Sequence, residues 1–308
     1  MAASRTNFAP ANKAKTWPAR QAFSDIFGFA CPSKTGHPAR VSNQARTTPA
    51  ANPGLNLLHW SLLAAFGAAI AAEMVWPRAA VPIDGLIFVL AAGSGIVALT
   101  RQLPLQNVLL AAAITAGFGS LAHGLSARTA LPFGPFVLGE NAAPLIFQSV
   151  GWLMPFLWIA AVFSARGVAR LGLRPWRKVK TYGYWLIGLT TALTVGFDLA
   201  LEPFAGETRH LWFWQPTKLI FDWYGASPLN FLAWAFVTGL ILAFASPALI
   251  RKQPGSQSAP DYAPLLVWLG LLVLFAVGAG TAGLRAAVSL DVVLALVTTV
   301  FALRGARW

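Results

Sequence analysis

Residues 264–284 read Pro264-Leu265-Leu266-Val267-Trp268-Leu269-Gly270-Leu271-Leu272-Val273-Leu274-Phe275-Ala276-Val277-Gly278-Ala279-Gly280-Thr281-Ala282-Gly283-Leu284, with no charged residue among them. Coiled as an α-helix, this stretch is about 30 Å long. That is the thickness of the hydrocarbon layer of a bilayer. A backbone exposed to lipid must satisfy its own hydrogen bonds, so the helix is the expected form. Apolar runs of similar length occur at 55–76, 82–100, 105–124, 143–164, 181–201, 228–250 and 287–303. Short Pro- or Gly-bearing turns, such as Trp76-Pro77-Arg78, separate most of them. The expected fold is an all-α, polytopic membrane bundle of about eight transmembrane helices.

Composition agrees. The 308 residues are 56% hydrophobic and only 11% charged, with a mean hydropathy of +0.61, where a soluble domain carries roughly 25% charged residues. This excludes a water-soluble globule and a disordered chain. The single cysteine, Cys31, excludes a disulfide framework and a multi-cysteine metal centre. Residues 1–54 differ: rich in Ala, Pro, Thr and Ser, with seven Lys or Arg and one acid, they read as a disordered basic tail with affinity for anionic lipid. An organelle transit peptide is the alternative. The membrane domain is then 55–308.

The charges also test the number of spans. With the N-terminus placed in the cytoplasm, 18 of the 23 Lys and Arg residues fall on that side and five on the other. The positive-inside rule predicts this bias for an even number of spans, with both termini cytoplasmic. The net charge of +13 lies mostly outside the apolar blocks. It reads as membrane orientation; no nucleic-acid partner is expected.

Carboxylates inside spans are costly and so mark candidate sites. Asp198 and Glu202 stand one helical turn apart near the end of the fifth run, and Pro203 is expected to end the helix there. A pair sharing one proton is a candidate general acid; the alternative is a helix end anchored in the headgroups or paired with Arg209 or Lys218. Glu140 leads into the fourth run, close in topology to that pair. Glu73 is expected to snorkel to the interface beside Trp76, and Asp291 to pair with Arg285. His59, His123 and His210 have no metal-ligand spacing, and His123 falls at the same membrane face as the acids. The segment 202–227 is amphipathic and dense in tryptophan, as expected of a stretch lying in the interface. It supplies Trp212, Trp214, Trp223 and Tyr224 around the acids, and Asn230 opens the next run after Pro228. Aromatic faces can stabilise a cation; interfacial anchoring accounts for them too. Phosphate-loop, dinucleotide and nucleophile-elbow patterns are absent.

Several blocks in the stretch 131–247 carry a resemblance. They are Phe133-Gly134-Pro135-Phe136, Ser164-Ala165-Arg166-Gly167-Val168-Ala169-Arg170, Asp198-Leu199-Ala200-Leu201-Glu202-Pro203, Leu211-Trp212-Phe213-Trp214, and Trp223-Tyr224-Gly225-Ala226-Ser227-Pro228-Leu229-Asn230-Phe231-Leu232-Ala233-Trp234. These blocks, the last three distinctively in order and spacing, resemble the integral-membrane carotenoid biosynthesis proteins, a family that includes the bacterial carotenoid 1,2-hydratase and the archaeal bisanhydrobacterioruberin hydratase. The remaining helices resemble the family only in being apolar. The chain departs from the common pattern at Phe136, often Tyr, at Glu202, often Asp, and at Ala233, often Gly. The resemblance implies addition of water to the terminal double bond of an acyclic carotenoid, without cofactor or metal. Asp198, Glu202 and Glu140 would be the catalytic candidates. Trp212, Trp214, Trp223, Tyr224, Asn230, Phe133, Phe136 and Trp234 would bind the end group. It further implies membrane lipid and other carotenoid enzymes as partners, and a bacterial inner membrane as location. Rival readings are a non-catalytic carotenoid-binding protein, a cyclase acting on the same end group, and a small-solute transporter.

Overall fold

The computed structural model describes residues 53–75, 82–216, 221–250 and 259–308. Its frame is eight helices: α1 Pro53–Val75, α2 Pro82–Thr100, α3 Leu105–Thr129, α4 Met154–Gly172, α5 Tyr182–Pro203, α6 Pro228–Ala245, α7 Ala263–Thr281 and α8 Arg285–Ala306. Among the described residues all eight are long and apolar enough to cross a membrane, as expected of an integral multi-pass protein. The basic tail lies outside the described residues, except that Pro53 and Gly54 open α1.

α4 forms the centre, packed against α2, α3, α5, α7 and α8. Within its apolar span 78% is buried, against 22% for α1 and α8 at the periphery. Close packing at the centre uses small residues, the usual device where lipid supplies no hydrophobic drive between helices. Gly172 of α4 and Gly305 of α8 bring their backbones into direct contact, and a β-carbon on either would overlap the other helix or Phe301. The outward faces carry exposed Leu57, Trp60, Leu110, Leu232, Phe236 and Leu296, as a lipid-facing surface requires.

The largest departure from expectation is the fourth span, expected at 143–164 and found at 154–172. A helix over 143–164 would carry Pro155 in its interior, losing a backbone bond and meeting the preceding carbonyl. Starting at Met154 places Pro155 in the first turn, where the absent N–H has no partner to lose. Residues ahead of it instead form a small antiparallel pair, β2 (Leu145–Ile146) with β3 (Val150–Gly151). At the other end the shift draws Arg166 and Arg170 out of the expected loop and into α4.

The two long connections meet. β1 (Phe136–Leu138) and β4 (Trp212–Trp214) pair antiparallel, with Phe136 opposite Trp214, Val137 opposite Phe213 and Leu138 opposite Trp212. This ribbon folds the tryptophan-rich segment onto the bundle end, burying Trp212 while Phe213 stays exposed.

Candidate active site

The carboxyl pair sits at the C-terminal end of α5, where the i, i+4 spacing sets both side chains on one face. Neither faces lipid or water: Asp198 is 0% and Glu202 2% exposed. The helix does not stop at Pro203 as expected. It runs on through a π-helical turn, Phe204–Thr208. Continuation is tolerated because the carbonyl that a residue-203 N–H would have bonded, Leu199 O, accepts the indole N–H of Trp223 at 2.9 Å. That turn directs the following chain back across the site as β4.

Two elements then converge on the acids. Asn230, in the first turn of α6, donates through one amide nitrogen to Asp198 Oδ2 at 2.7 Å and to Glu202 Oε1 at 2.9 Å. From β4, Trp212 Nε1 donates to Glu202 Oε2 at 3.1 Å and Trp214 Nε1 to the same oxygen at 2.8 Å. Glu202 thus accepts three N–H donors over both its oxygens. Asp198 Oδ1 is buried with no hydrogen-bond partner among the described residues. The two carboxyls are therefore unequal: one is surrounded by donors, and the other keeps an oxygen on which a proton can reside.

His123 of α3 lies against this cluster in a box of rings. Its centroid is 4.5 Å from Phe133, 6.0 Å from Phe136, 6.1 Å from Trp158, 6.2 Å from Trp212 and 6.2 Å from Trp234. Trp158 and Trp234 stack at 3.9 Å, tying α4 to α6 behind it. Trp212 is the shared wall, with its N–H on Glu202 and its ring beside His123.

A second buried network braces the same end. Arg209, which follows the π turn, pairs with Glu73 of α1 and, through Nε, with Asp84 of α2 at 2.8 Å. Glu73 is therefore buried in an ion pair, where snorkelling was expected. Arg209 is spent on these two acids, not on Asp198 or Glu202. Lys218, the other expected cation, lies outside the described residues. Asp84, in the first turn of α2, was missed in the sequence because an acid at a helix start reads as an ordinary end residue.

Other candidates stand elsewhere. Glu140 is exposed; its backbone carbonyl accepts from the Ala143 N–H at 3.2 Å, and its side chain makes no hydrogen bond or ion pair among the described residues. Trp223 bonds the backbone at Leu199, and its ring meets Tyr224 edge-on at 4.9 Å. Tyr224 holds a left-handed backbone (φ 51°) in the turn closed by Trp223 and Ala226. Phe133, Phe136 and Trp234 belong to the box around His123. The expected Asp291–Arg285 pair is not made: Asp291 is buried with both oxygens unpartnered among the described residues, and Arg285 is exposed.

The model of the carotenoid biosynthesis protein family matches residues 83–302. The chain belongs to that family. Comparison with curated proteins and with solved structures gave no match. The carotenoid-family match reaches well beyond the 131–247 blocks, into the helices that resembled the family only in being apolar. It takes in Asp198, Glu202, Asn230, His123, Asp84 and Arg209, while Glu73 lies outside it.

Proposed function

We propose that this member of the carotenoid biosynthesis family hydrates the terminal carbon–carbon double bond of an acyclic carotenoid. One observation supports the reading above the rest: two fully buried carboxyls bridged by Asn230, one donor-saturated and one with a free oxygen. In this scheme Asp198 carries the proton on Oδ1. The π electrons of the trisubstituted alkene take it, forming a C–H bond at the less substituted carbon and leaving a tertiary cation. Water attacks that cation through oxygen, and the resulting oxonium returns one proton to the carboxyl pair. Alkene and water are consumed, a tertiary alcohol forms, and the acid is regenerated.

Enzymes lower such barriers by about 8–23 kcal/mol. A few aromatic contacts of up to about 2 kcal/mol each fall short of that, so a positioned acid and fixed dipoles carry most of it. Glu202, held by three N–H groups, supplies the fixed negative charge beside the developing cation. The ribbon of β1 and β4 covers the pair, so end-group entry goes with its displacement. A C40 polyene is about as long as the hydrocarbon core is thick, so it can lie along the helices with one tip at the acids. The Lys and Arg asymmetry supports cytoplasmic termini, in a bacterial inner membrane, with the carboxyl pair toward the opposite face.

The deciding experiment is expression in cells that accumulate lycopene, followed by mass analysis of the pigments. A product heavier by one or two waters is expected. Pigment that co-purifies with the protein but is unchanged in mass would replace hydration with non-catalytic binding, a reading favoured by the closed state of the pair. An isomer of unchanged mass with a ring would indicate cyclase chemistry.

A further inference from the structure

At the opposite end of α5, twenty residues before Glu202 and so about 30 Å away along the helix, two cavities adjoin. One, of about 270 Å³, is lined by Arg166, Arg170, Arg174 and Arg177 together with Tyr182 and Asp261. The other, of about 440 Å³, shares Arg166, Arg170, Arg177 and Tyr182 and is otherwise mainly apolar, walled by Leu186, Ile187 and Leu242.

The charges in this recess do not balance. Arg166 is only 6% exposed, and its Nη2 donates to the Leu249 carbonyl at 3.1 Å, a neutral partner. Asp261 is the one carboxylate among the described lining residues. Its two oxygens are occupied, Oδ2 by the Gln102 amide at 3.0 Å and Oδ1 by the Ala263 backbone N–H at 3.1 Å. Among the described residues no ion pair joins an acid to Arg166, Arg170 or Arg177. A guanidinium withdrawn from water requires a compensating charge. Arg166 is so withdrawn; half-buried Arg170 and exposed Arg177 bring two more guanidinium groups to the same space, and the three match an anion with several oxygens, which guanidinium forks bind in pairs.

The second chamber identifies the carrier of that anion. A free ion has no use for Leu186, Ile187 and Leu242, whereas a hydrocarbon chain attached to a phosphate fills both spaces. The recess also lies at the helix ends, at headgroup depth. It falls on the face that the Lys and Arg bias assigns to the cytoplasm, where anionic lipids are concentrated. We propose that this recess binds an anionic phospholipid, its phosphate held by Arg166, Arg170 and Arg177 and its chain entering the apolar chamber. The site is separate from the carboxyl pair and stands whether or not the hydration reading does.

The test is native mass spectrometry of the delipidated full chain in detergent, titrated with dioleoyl phosphatidylglycerol or dioleoyl phosphatidylcholine. Phosphatidylglycerol is expected to bind about tenfold more tightly than the zwitterionic lipid, the scale of one charge-assisted contact. An R170Q/R177Q variant, which leaves buried Arg166 in place, is expected to lose about that factor. Ile187→Trp, filling the apolar chamber, weakens the lipid as well. Arg304→Gln, exposed on α8 and lining neither cavity, leaves it unchanged. Equal binding of the two lipids, or undiminished binding in R170Q/R177Q, overturns the proposal. Displacement of phosphatidylglycerol by millimolar inorganic phosphate also overturns it, showing a free-anion site.

Discussion

Trp223 completes a hydrogen bond that Pro203 cannot make. Its indole N–H reaches Leu199 O at 2.9 Å, taking the place of the backbone donor missing four residues along α5. The helix can therefore continue past the proline into the turn that brings Trp212 and Trp214 onto Glu202. Trp223→Phe is expected to destabilise the protein by about 1 kcal/mol, the net worth of one hydrogen bond to a half-buried carbonyl. In W223F/P203A the restored N–H at position 203 recovers much of that loss. Thermal unfolding of both variants in detergent reads the coupling, and strictly additive effects would argue against it.

Asp198→Asn removes the transferable proton and is expected to lower product formation by about 10²–10⁴, the usual worth of a positioned acid. Glu202→Gln confronts two indole N–H groups and Asn230 with a side chain half donor, and a comparable loss follows. Pigment analysis in lycopene-accumulating cells measures both, alongside immunodetection of the protein. Full activity in D198N removes Asp198 from the proton-donor role.

Arg209 holds two buried carboxylates at once, with 13% of its side chain exposed against 5% for Glu73 and 1% for Asp84. Arg209→Gln leaves both acids buried without a cation and is expected to cost about 3–5 kcal/mol, as when one member of a buried ion network is deleted. Glu73→Gln leaves the Asp84 pair intact and costs clearly less. The order of the two thermal midpoints checks this, and equal effects would mean that the triad does not act as a unit.

Entry beneath the ribbon can be tested by closing it. Val137 and Phe213 are directly opposed and about half exposed, at 53% and 47%. Opposed residues in such a ladder have α-carbons about 4.5–5.5 Å apart, within disulfide reach. In a Cys31→Ser background, oxidised V137C/F213C is expected to lose hydration and regain it on reduction. Undiminished conversion by the cross-linked protein would show that the end group enters elsewhere.

The eight spans were legible because length and apolarity are local properties of the chain. Apolar content alone misplaced α4; Pro155, read as a first-turn residue, would have located its start. The i, i+4 carboxyls and Asn230 after Pro228 were visible for the same local reason. The pairing of β1 with β4 was not, since three-residue strands 76 positions apart leave no periodic signal. The Glu73–Arg209–Asp84 triad was hidden likewise, each member standing at a helix end where a charge is unremarkable. His123 could be assigned to the correct membrane face, but the ring of aromatics around it comes from two helices and the two long connections.

Because Asn230 lies on α6 and the two tryptophans lie beyond the π turn, every donor that steadies Glu202 leaves the ribosome after the carboxyls do. A freshly threaded α5 therefore meets the translocation machinery with two bare acids near its trailing end. An acid at mid-membrane costs about 2.5–3.5 kcal/mol on insertion scales, and far less near an interface. Placing the pair near the C-terminal end of α5 lets the nascent segment wait at the boundary until the sixth helix arrives and seals it in. An address near the helix end thus suits insertion of the acids as well as their chemistry.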